Sequence, residues 1–411
     1  MVTVVPFRAL RPVREYAERV AALPYDTLSV EEARELVQSN SLSFLRVEKA
    51  ECDLPDDRAA DEASVAVRAR ENLEALVKNR ILFQDSSPFF YLYRQQMGNH
   101  VQTGIVACVS VEDYLTRRIK THEHTLAGKE RERILHIDTV DAQTGPVFLT
   151  YRNRADIDAL VVEAATGDPE YDFVAADGIR HTVWIIENAD TMRSIRDAFT
   201  RVEALYIADG HHRAAAAARV ARQRNEKGRE IAQESNAMLA VLFPDNQLRI
   251  MDYNRAVRDL NGLDEKSFLR RIAEYFEITE NFQEKLPCRP HTFGMYLAGR
   301  WRLLTARAAV LRQDGLTSGL DVSILQENIL GAILGIANPR TDDRISFIGG
   351  TRGARGLEDS VDTGGFAVAF SLFPPTMEQL MAIADAGEVM PPKSTWFEPK
   401  LRSGLFVHPI N

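Results

Sequence analysis

The densest chemistry in the chain lies in Tyr206-Ile-Ala-Asp-Gly-His-His-Arg-Ala-Ala-Ala-Ala-Ala218. An apolar strand runs into Asp209 and Gly210, and an alanine-rich helix leaves at once. The first N–H groups of such a helix have no intrahelical acceptor, and its dipole adds positive potential there. Gly210 lets the backbone come close to a ligand. Arg213 offers a bidentate fork to phosphate oxygens, and His211 and His212 supply donors or a general base. These are the parts of an anion site at a helix N-terminus. Asp209 alone would serve equally well as the cap of an ordinary strand-to-helix turn.

A second cluster is Lys120-Thr-His-Glu-His-Thr-Leu-Ala-Gly-Lys129. His122 and His124 alternate, so on an extended segment they share a face. Imidazoles at that spacing could hold a metal, although no cysteine or third histidine sits nearby at zinc-site spacing. Equally, Lys120, His122, His124, Thr125 and Lys129 could line a polyphosphate, with Glu123 as a base towards a hydroxyl. The plainer alternative is a solvated polar loop before a charged helix. A third cluster, Met390 to Gly404, brings Lys393, Ser394, Thr395 and Lys400 together near Trp396 and Phe397. It lacks the glycines of a P-loop, and it suits a tail that packs back on the body and touches a ligand. Three shorter stretches offer further polar contacts: Leu23-Pro-Tyr-Asp26, Asn254 with Arg255, and Gly349 to Gly353. Cys108 sits in an apolar strand, as an inert core thiol would.

These clusters need elements to hold them. Ser29 with Glu32 forms a capping-box pattern for a helix over Ser29–Ser39. Further helices are expected over Asp61–Asn79, Asp190–Arg201, from the Gly210 turn to about Asn225, and at about Leu325–Ile336. Strands are expected over Phe89–Arg94, Gly104–Val111, Thr182–Ile186, Leu205–Ala208, Met238–Phe243, Leu248–Tyr253 and Gly365–Phe373. Lys49–Arg58 has the composition of a loop. Strands and helices alternate through much of the chain, so the fold class is α+β, or mixed α/β. Three segments suggest themselves as domains. They are 1–180 with the first histidine cluster, 181–260 with the Asp209 turn, and 261–411 with the Lys393 tail.

Composition narrows the function. Lys and Arg number 50 against 59 Asp and Glu, and 50 − 59 gives a formal charge of −9. With 45% hydrophobic residues the chain is too apolar to be disordered. It is too acidic for a nucleic-acid coat. No apolar run reaches the roughly 18 residues that a membrane helix needs, and the N-terminus does not resemble a signal peptide. Three scattered cysteines make no disulfide framework. A cytoplasmic protein without nucleic-acid or membrane partners is expected, and oligomerisation is left open.

The chain also resembles a known family. Pro6-Phe-Arg-Ala-Leu-Arg-Pro12, Leu23-Pro-Tyr-Asp26, Ser43-Phe-Leu45, His122-Glu-His-Thr125, Gly145-Pro-Val147, Ile207-Ala-Asp-Gly-His-His-Arg213, Asp252-Tyr-Asn-Arg255 and Pro392-Lys-Ser-Thr395 occur in the order seen in the domain-of-unknown-function 1015 (DUF1015) family. More narrowly, Asp209-Gly-His-His-Arg213 with its flanking elements, about Thr182–Asp252, is similar to the signature turn of the ParB/sulfiredoxin-like fold. That likeness implies a ParB/sulfiredoxin-like core and nucleotide phosphates at the turn, and one branch of the superfamily phosphorylates free serine. The absence of cysteine from the turn argues against sulfiredoxin chemistry.

Together these point to a nucleotide-dependent phosphotransferase acting on a small hydroxylated metabolite, with free L-serine as one candidate. ATP or ADP and Mg²⁺ would be its cofactors. Glu123, Asp209, His211 and His212 are the candidate catalytic residues. Gly210, Arg213, Lys120, His122, His124, Thr125, Lys129, Lys393, Ser394 and Thr395 are the candidate phosphate or nucleotide contacts. Two alternatives use the same residues. One is a metal-dependent hydrolase built on His122, His124, His211 and His212, and the other is a non-catalytic nucleotide-sensing module.

Overall fold

A computed structural model describes residues 1–54, 61–226, 233–311 and 315–411. The chain is mixed α/β. It forms two compact units, Met1–Leu248 with Pro399–Asn411, and Arg249–Glu398.

The first unit is built on a nine-stranded mixed sheet. From one edge its strands are Ile119–Lys120, Leu205–Asp209, Val147–Tyr151, Ala237–Pro244, His100–Ser110, Phe90–Met97, Arg180–Ile186 and Tyr171–Val174, with Val4–Val5 paired to His100–Ser110. Ala237–Pro244 is buried along nearly its whole length, as its unbroken apolar run requires. Phe90–Met97 and His100–Ser110 form a hairpin in which Met97 faces His100 across the turn, with Gly98 at φ +58°. The expected strands at 89–94, 104–111, 182–186, 205–208 and 238–243 are therefore present.

The alanine run explains how the helix His211–Glu226 is accommodated. Ala214, Ala217, Ala218 and Ala221 recur at helical spacing and pack in the core with Val147, Leu149, Ile207 and Ala240. Ala216 and Val220, on another face, pack with Ile137 and Ile410. Small side chains let one helix approach a sheet and a second helix, Ala127–Val140, together. The Ser29 prediction holds in detail. Helix Val30–Ser39 starts with both capping-box hydrogen bonds, Glu32 N–H to Ser29 Oγ at 3.1 Å and Ser29 N–H to the Glu32 carboxylate at 2.7 Å. Asp61 likewise caps Glu62–Lys78. The expected loop at Lys49–Arg58 opens with a 3₁₀ turn, Ala50–Asp53, and residues 55–58 lie outside the described residues.

The second unit has a six-stranded antiparallel sheet in the order Phe276–Glu280, Arg300–Ala306, Thr292–Leu297, Val368–Leu372, Tyr253–Val257 and Ile345–Gly349. Two expectations are corrected here. The strand placed at Leu248–Tyr253 splits into Ile250–Met251 and Tyr253–Val257 at Asp252, whose carboxylate accepts from the Asn254 side chain at 2.5 Å. The helix placed at Leu325–Ile336 begins earlier, as Asp321–Leu325, and widens into a π-helical turn over Gln326–Gly331. Hydrogen bonds there skip five residues, as from Leu334 N–H to Ile329 O at 3.0 Å.

Candidate functional site

Register in the main sheet brings two of the sequence clusters together. Ile119–Lys120 and Leu205–Asp209 are parallel neighbours, with Leu205 opposite Ile119 and Tyr206 opposite Lys120. Parallel strands leave a sheet at the same end, so the chain after Lys120 and the chain after Asp209 emerge side by side. On the other flank, Leu205–Asp209 runs antiparallel to Val147–Tyr151, with an irregularity between Ile207 and Asp209 that shifts the pairing. The chain then turns at Gly210, φ +93°, where a side chain would be strained, and enters the helix His211–Glu226.

The histidines meet at this turn. The buried rings of His122 and His211 pack edge to face, 4.6 Å between centroids. His211 Nδ1 lies 4.0 Å from Glu123 Oε2. The Leu126 N–H donates to His212 Nε2 at 3.0 Å. Burial pushes His122 down to about 4, and the Asp209 charge with a hydrogen bond to the Ile207 backbone only partly offsets it. Burial also holds His211 well below its ordinary value, with His122 and His212 adding to the effect. Both imidazoles are therefore neutral at pH 7. His211 Nε2 is buried and makes no hydrogen bond among the described residues.

Asp209 is partly exposed and occupied on both oxygens. Oδ1 accepts from its neighbour Gly210 N–H at 2.7 Å, and Oδ2 accepts from Lys400 Nζ at 2.8 Å. Burial opposes its ionisation. The Lys400 ammonium, the Arg213 guanidinium and the Gly210 N–H outweigh that and hold the carboxyl below its ordinary range.

Behind the turn lies a buried polar network that the sequence reading missed. Arg213 Nη1 donates to Pro146 O at 3.2 Å, and Nη2 lies 3.8 Å from Glu48 Oε2. Arg133 Nη1 reaches the same oxygen at 3.7 Å. The other Glu48 oxygen accepts from Thr144 Oγ1, which in turn contacts His136 Nε2 at 3.1 Å. The Tyr25 ring has the Arg133 guanidinium 4.0 Å from its centroid and that of Arg213 at 5.5 Å. A cavity of about 20 Å³ lies among Glu48, Arg133, His136 and Arg213, room for about one water. A Cβ on Gly145 would come within 3.1 Å of both Arg213 Cζ and Ser403 Oγ, so any side chain here would crowd the guanidinium. Arg213 is thus turned into the protein rather than held out as a free fork. Tyr25 belonged to a motif singled out in the sequence, whereas Glu48, in a four-residue helical turn, carried no signal.

The remaining candidates scatter. Lys120 is on the edge strand, its Nζ 5.8 Å from the Tyr206 ring centroid. His124 and Lys129 are exposed. Thr125 Oγ1 donates to Glu130 at the start of the next helix, 2.9 Å away. Lys393, Ser394 and Thr395 belong to the second unit, where Lys393 and Ser394 line a cavity described below. Among the described residues no group of three or more His, Cys, Asp or Glu side chains could hold a metal ion.

The family described as "Protein of unknown function (DUF1015)" matches residues 4–323. The chain belongs to the DUF1015 family. A search of curated proteins gives no match for this DUF1015 chain. Among solved structures it is similar to free serine kinase in complex with AMP, at 14% identity and a TM-score of 0.38, over 73% of this chain and 91% of that one. It is also similar to a conserved hypothetical protein from Pyrococcus furiosus, at 15% identity and a TM-score of 0.36, over 73% and 94%. SbnI with a C-terminal truncation from Staphylococcus aureus aligns at 11% identity and a TM-score of 0.38, over 72% and 85%. Likenesses this distant assign no function to the DUF1015 chain. Among its described residues no helix is long and apolar enough to cross a membrane.

Proposed function

We propose that this protein is a nucleotide-dependent phosphotransferase acting on a small hydroxylated metabolite, with free L-serine as the first acceptor to test. One observation carries the proposal. A carboxylate, Glu123, and an imidazole with a buried unpartnered nitrogen, His211, come within 4.0 Å of each other at the start of a 16-residue helix. The helix N–H groups suit phosphate oxygens, and the unpartnered His211 Nε2 lies buried just behind them. Glu123, partly exposed, would take a proton from an acceptor hydroxyl. The hydroxyl oxygen then bonds to the transferred phosphorus as the bond to the nucleotide oxygen breaks.

The other residues take supporting roles. Asp209 is held ionised by Lys400 and is a weak base for that reason, so it fixes the turn and presents Lys400 beside it. Arg213 braces the turn from behind through Pro146 and Glu48. His122 packs against the His211 ring and holds its orientation. Mg²⁺, when bound with the nucleotide, would neutralise charge on the phosphates. Catalysis on this reading is mainly positioning and charge stabilisation.

The test is incubation of the purified protein with ATP or ADP, Mg²⁺ and serine, followed by ³¹P NMR for phosphoserine. No turnover with a panel of hydroxylated acceptors, together with no nucleotide binding in calorimetry, overturns the proposal. Nucleotide binding without turnover but with a change in assembly supports the sensing module instead.

A further inference from the structure

The second unit contains a cavity of about 160 Å³ in which positive charge goes unanswered. Arg255, on the strand Tyr253–Val257, has only 2% of its surface exposed. Its Nη1 donates to Tyr253 O at 2.5 Å and its Nη2 to Lys393 O at 2.9 Å. The guanidinium lies 4.6 Å from the centroid of the Phe347 ring. Carbonyls and a ring face supply partial charges only. Among the described residues no carboxylate pairs with Arg255, and a guanidinium buried without a counter-charge is costly. Burial pushes it down to about 10.

The rest of the lining does not supply the missing charge. Lys393 brings a second cation, and its Nζ is 5.6 Å from the Tyr253 ring centroid with no carboxylate partner among the described residues. Asp321 is the one carboxylate among the described lining residues. Both of its oxygens accept from the His291 N–H, at 2.9 and 3.1 Å. Burial pushes Asp321 up to about 7, so its charge is held less firmly than that of an ordinary carboxylate. Arg255 and Lys393 thus share the cavity lining with a single carboxyl, and that carboxyl already lies against His291, whose Nδ1 is 3.4 Å from Asp321 Oδ1. The lining also includes the apolar Leu320, Leu372 and Phe373.

We propose that this cavity binds a small organic oxyanion, a carboxylate- or phosphate-bearing metabolite, whose charge meets Arg255 and Lys393. A cavity of this size suits roughly six to ten non-hydrogen atoms, since one of about 150 Å³ holds benzene. The site lies wholly within the second unit and does not depend on the phosphotransferase proposal.

Fluorine NMR gives a local readout. The sequence has three tryptophans, so 5-fluorotryptophan labelling gives three signals, assignable by Trp→Phe variants. The Trp396 ring lies 5.0 Å from that of Tyr253, which lines the cavity. The full chain is titrated with inorganic phosphate in one arm and succinate in the other. The Trp396 signal should shift saturably with at least one probe, at a midpoint of about 1 mM or lower, while the Trp184 signal stays in place. Lys393→Gln, an exposed change that preserves folding, should raise the midpoint about fivefold. A response to phosphate alone assigns a phosphoryl ligand, and a response to succinate alone a carboxylate. No shift of Trp396 with either probe up to about 20 mM, or an unchanged midpoint in Lys393→Gln, overturns the site.

Discussion

Replacing Asp321 by Asn should make the second unit progressively more stable than the parent protein as pH rises. The parent carboxyl has an ordinary value of 3.8 and is pushed up to about 7 by burial. A carboxyl whose value is raised on folding stabilises the fold fully below its unfolded value, and that stabilisation is lost as pH rises through the folded one. The full span corresponds to about 4 kcal/mol. Between pH 5 and pH 8 the parent should lose about 3 kcal/mol from this group alone. Asn keeps the shape and can still accept from the His291 N–H at one oxygen, but it does not titrate. Comparing the two proteins cancels most other titrating groups, including the buried histidines of the first unit. The assay is urea unfolding at pH 5, 6, 7 and 8, followed by tryptophan fluorescence. A Trp184→Phe background leaves Trp301 and Trp396, both in the second unit, as reporters. The Asn variant should gain on the parent by about 3 kcal/mol across that range. A difference that stays flat with pH, or one that moves in the parent's favour, would refute the burial argument.

Three further outcomes follow from the first unit. Glu123→Gln should lower phosphoryl transfer by about 10²–10⁴-fold with nucleotide affinity little changed, as single-turnover kinetics and calorimetry would measure; equal losses in both would remove its role as base. Gly145→Ala should cost about 1–3 kcal/mol in a thermal melt, because the new methyl meets Arg213 and Ser403 at 3.1 Å; a melt unchanged from the parent would show that the guanidinium yields. The His122 ring carbons should hold neutral chemical shifts from pH 8 down to about pH 5.5, since burial places its titration near 4. The matching stability is present above 6.5 and is lost as pH falls towards 4; a ring titrating near 6.5 would mean that it is solvated.

Local signals were legible in the sequence, and long-range ones were not. The Ser29 capping box, the strands at Phe89–Arg94 and Gly104–Val111, and the strand-turn-helix at Asp209 rest on neighbouring residues and came through nearly unchanged. That the two histidine clusters share a site depends on Leu205 pairing with Ile119, a contact no local pattern encodes. Arg213 was legible as a cation at a helix start, but its direction is set by Glu48 and Gly145, far away in sequence. Lys393 and Lys400 fall close together in the chain and read as one cluster. In the fold Lys400 holds Asp209 in the first unit, whereas Lys393 lines a cavity of the second. The π-helical turn after Leu325 was hidden because its apolar spacing also fits an ordinary helix.

The return of Pro399–Asn411 to the first unit has a consequence for synthesis. Val407 exchanges backbone hydrogen bonds with Leu10, Ser403 exchanges them with Ala22, and Lys400 completes the Asp209 turn. None of these contacts can form until all of Arg249–Glu398 has been translated, a delay of roughly 8–30 s at ordinary elongation rates. A nascent chain that already displays the histidine turn therefore waits with the Asp209 carboxylate lacking its ammonium and the backbone of Leu10 lacking its partner. A ribosome that stalls within the second unit leaves the first one unfinished as well. Release of the last strand is in this sense a checkpoint, at which one lysine ties the geometry of the site to completion of the chain through residue 400.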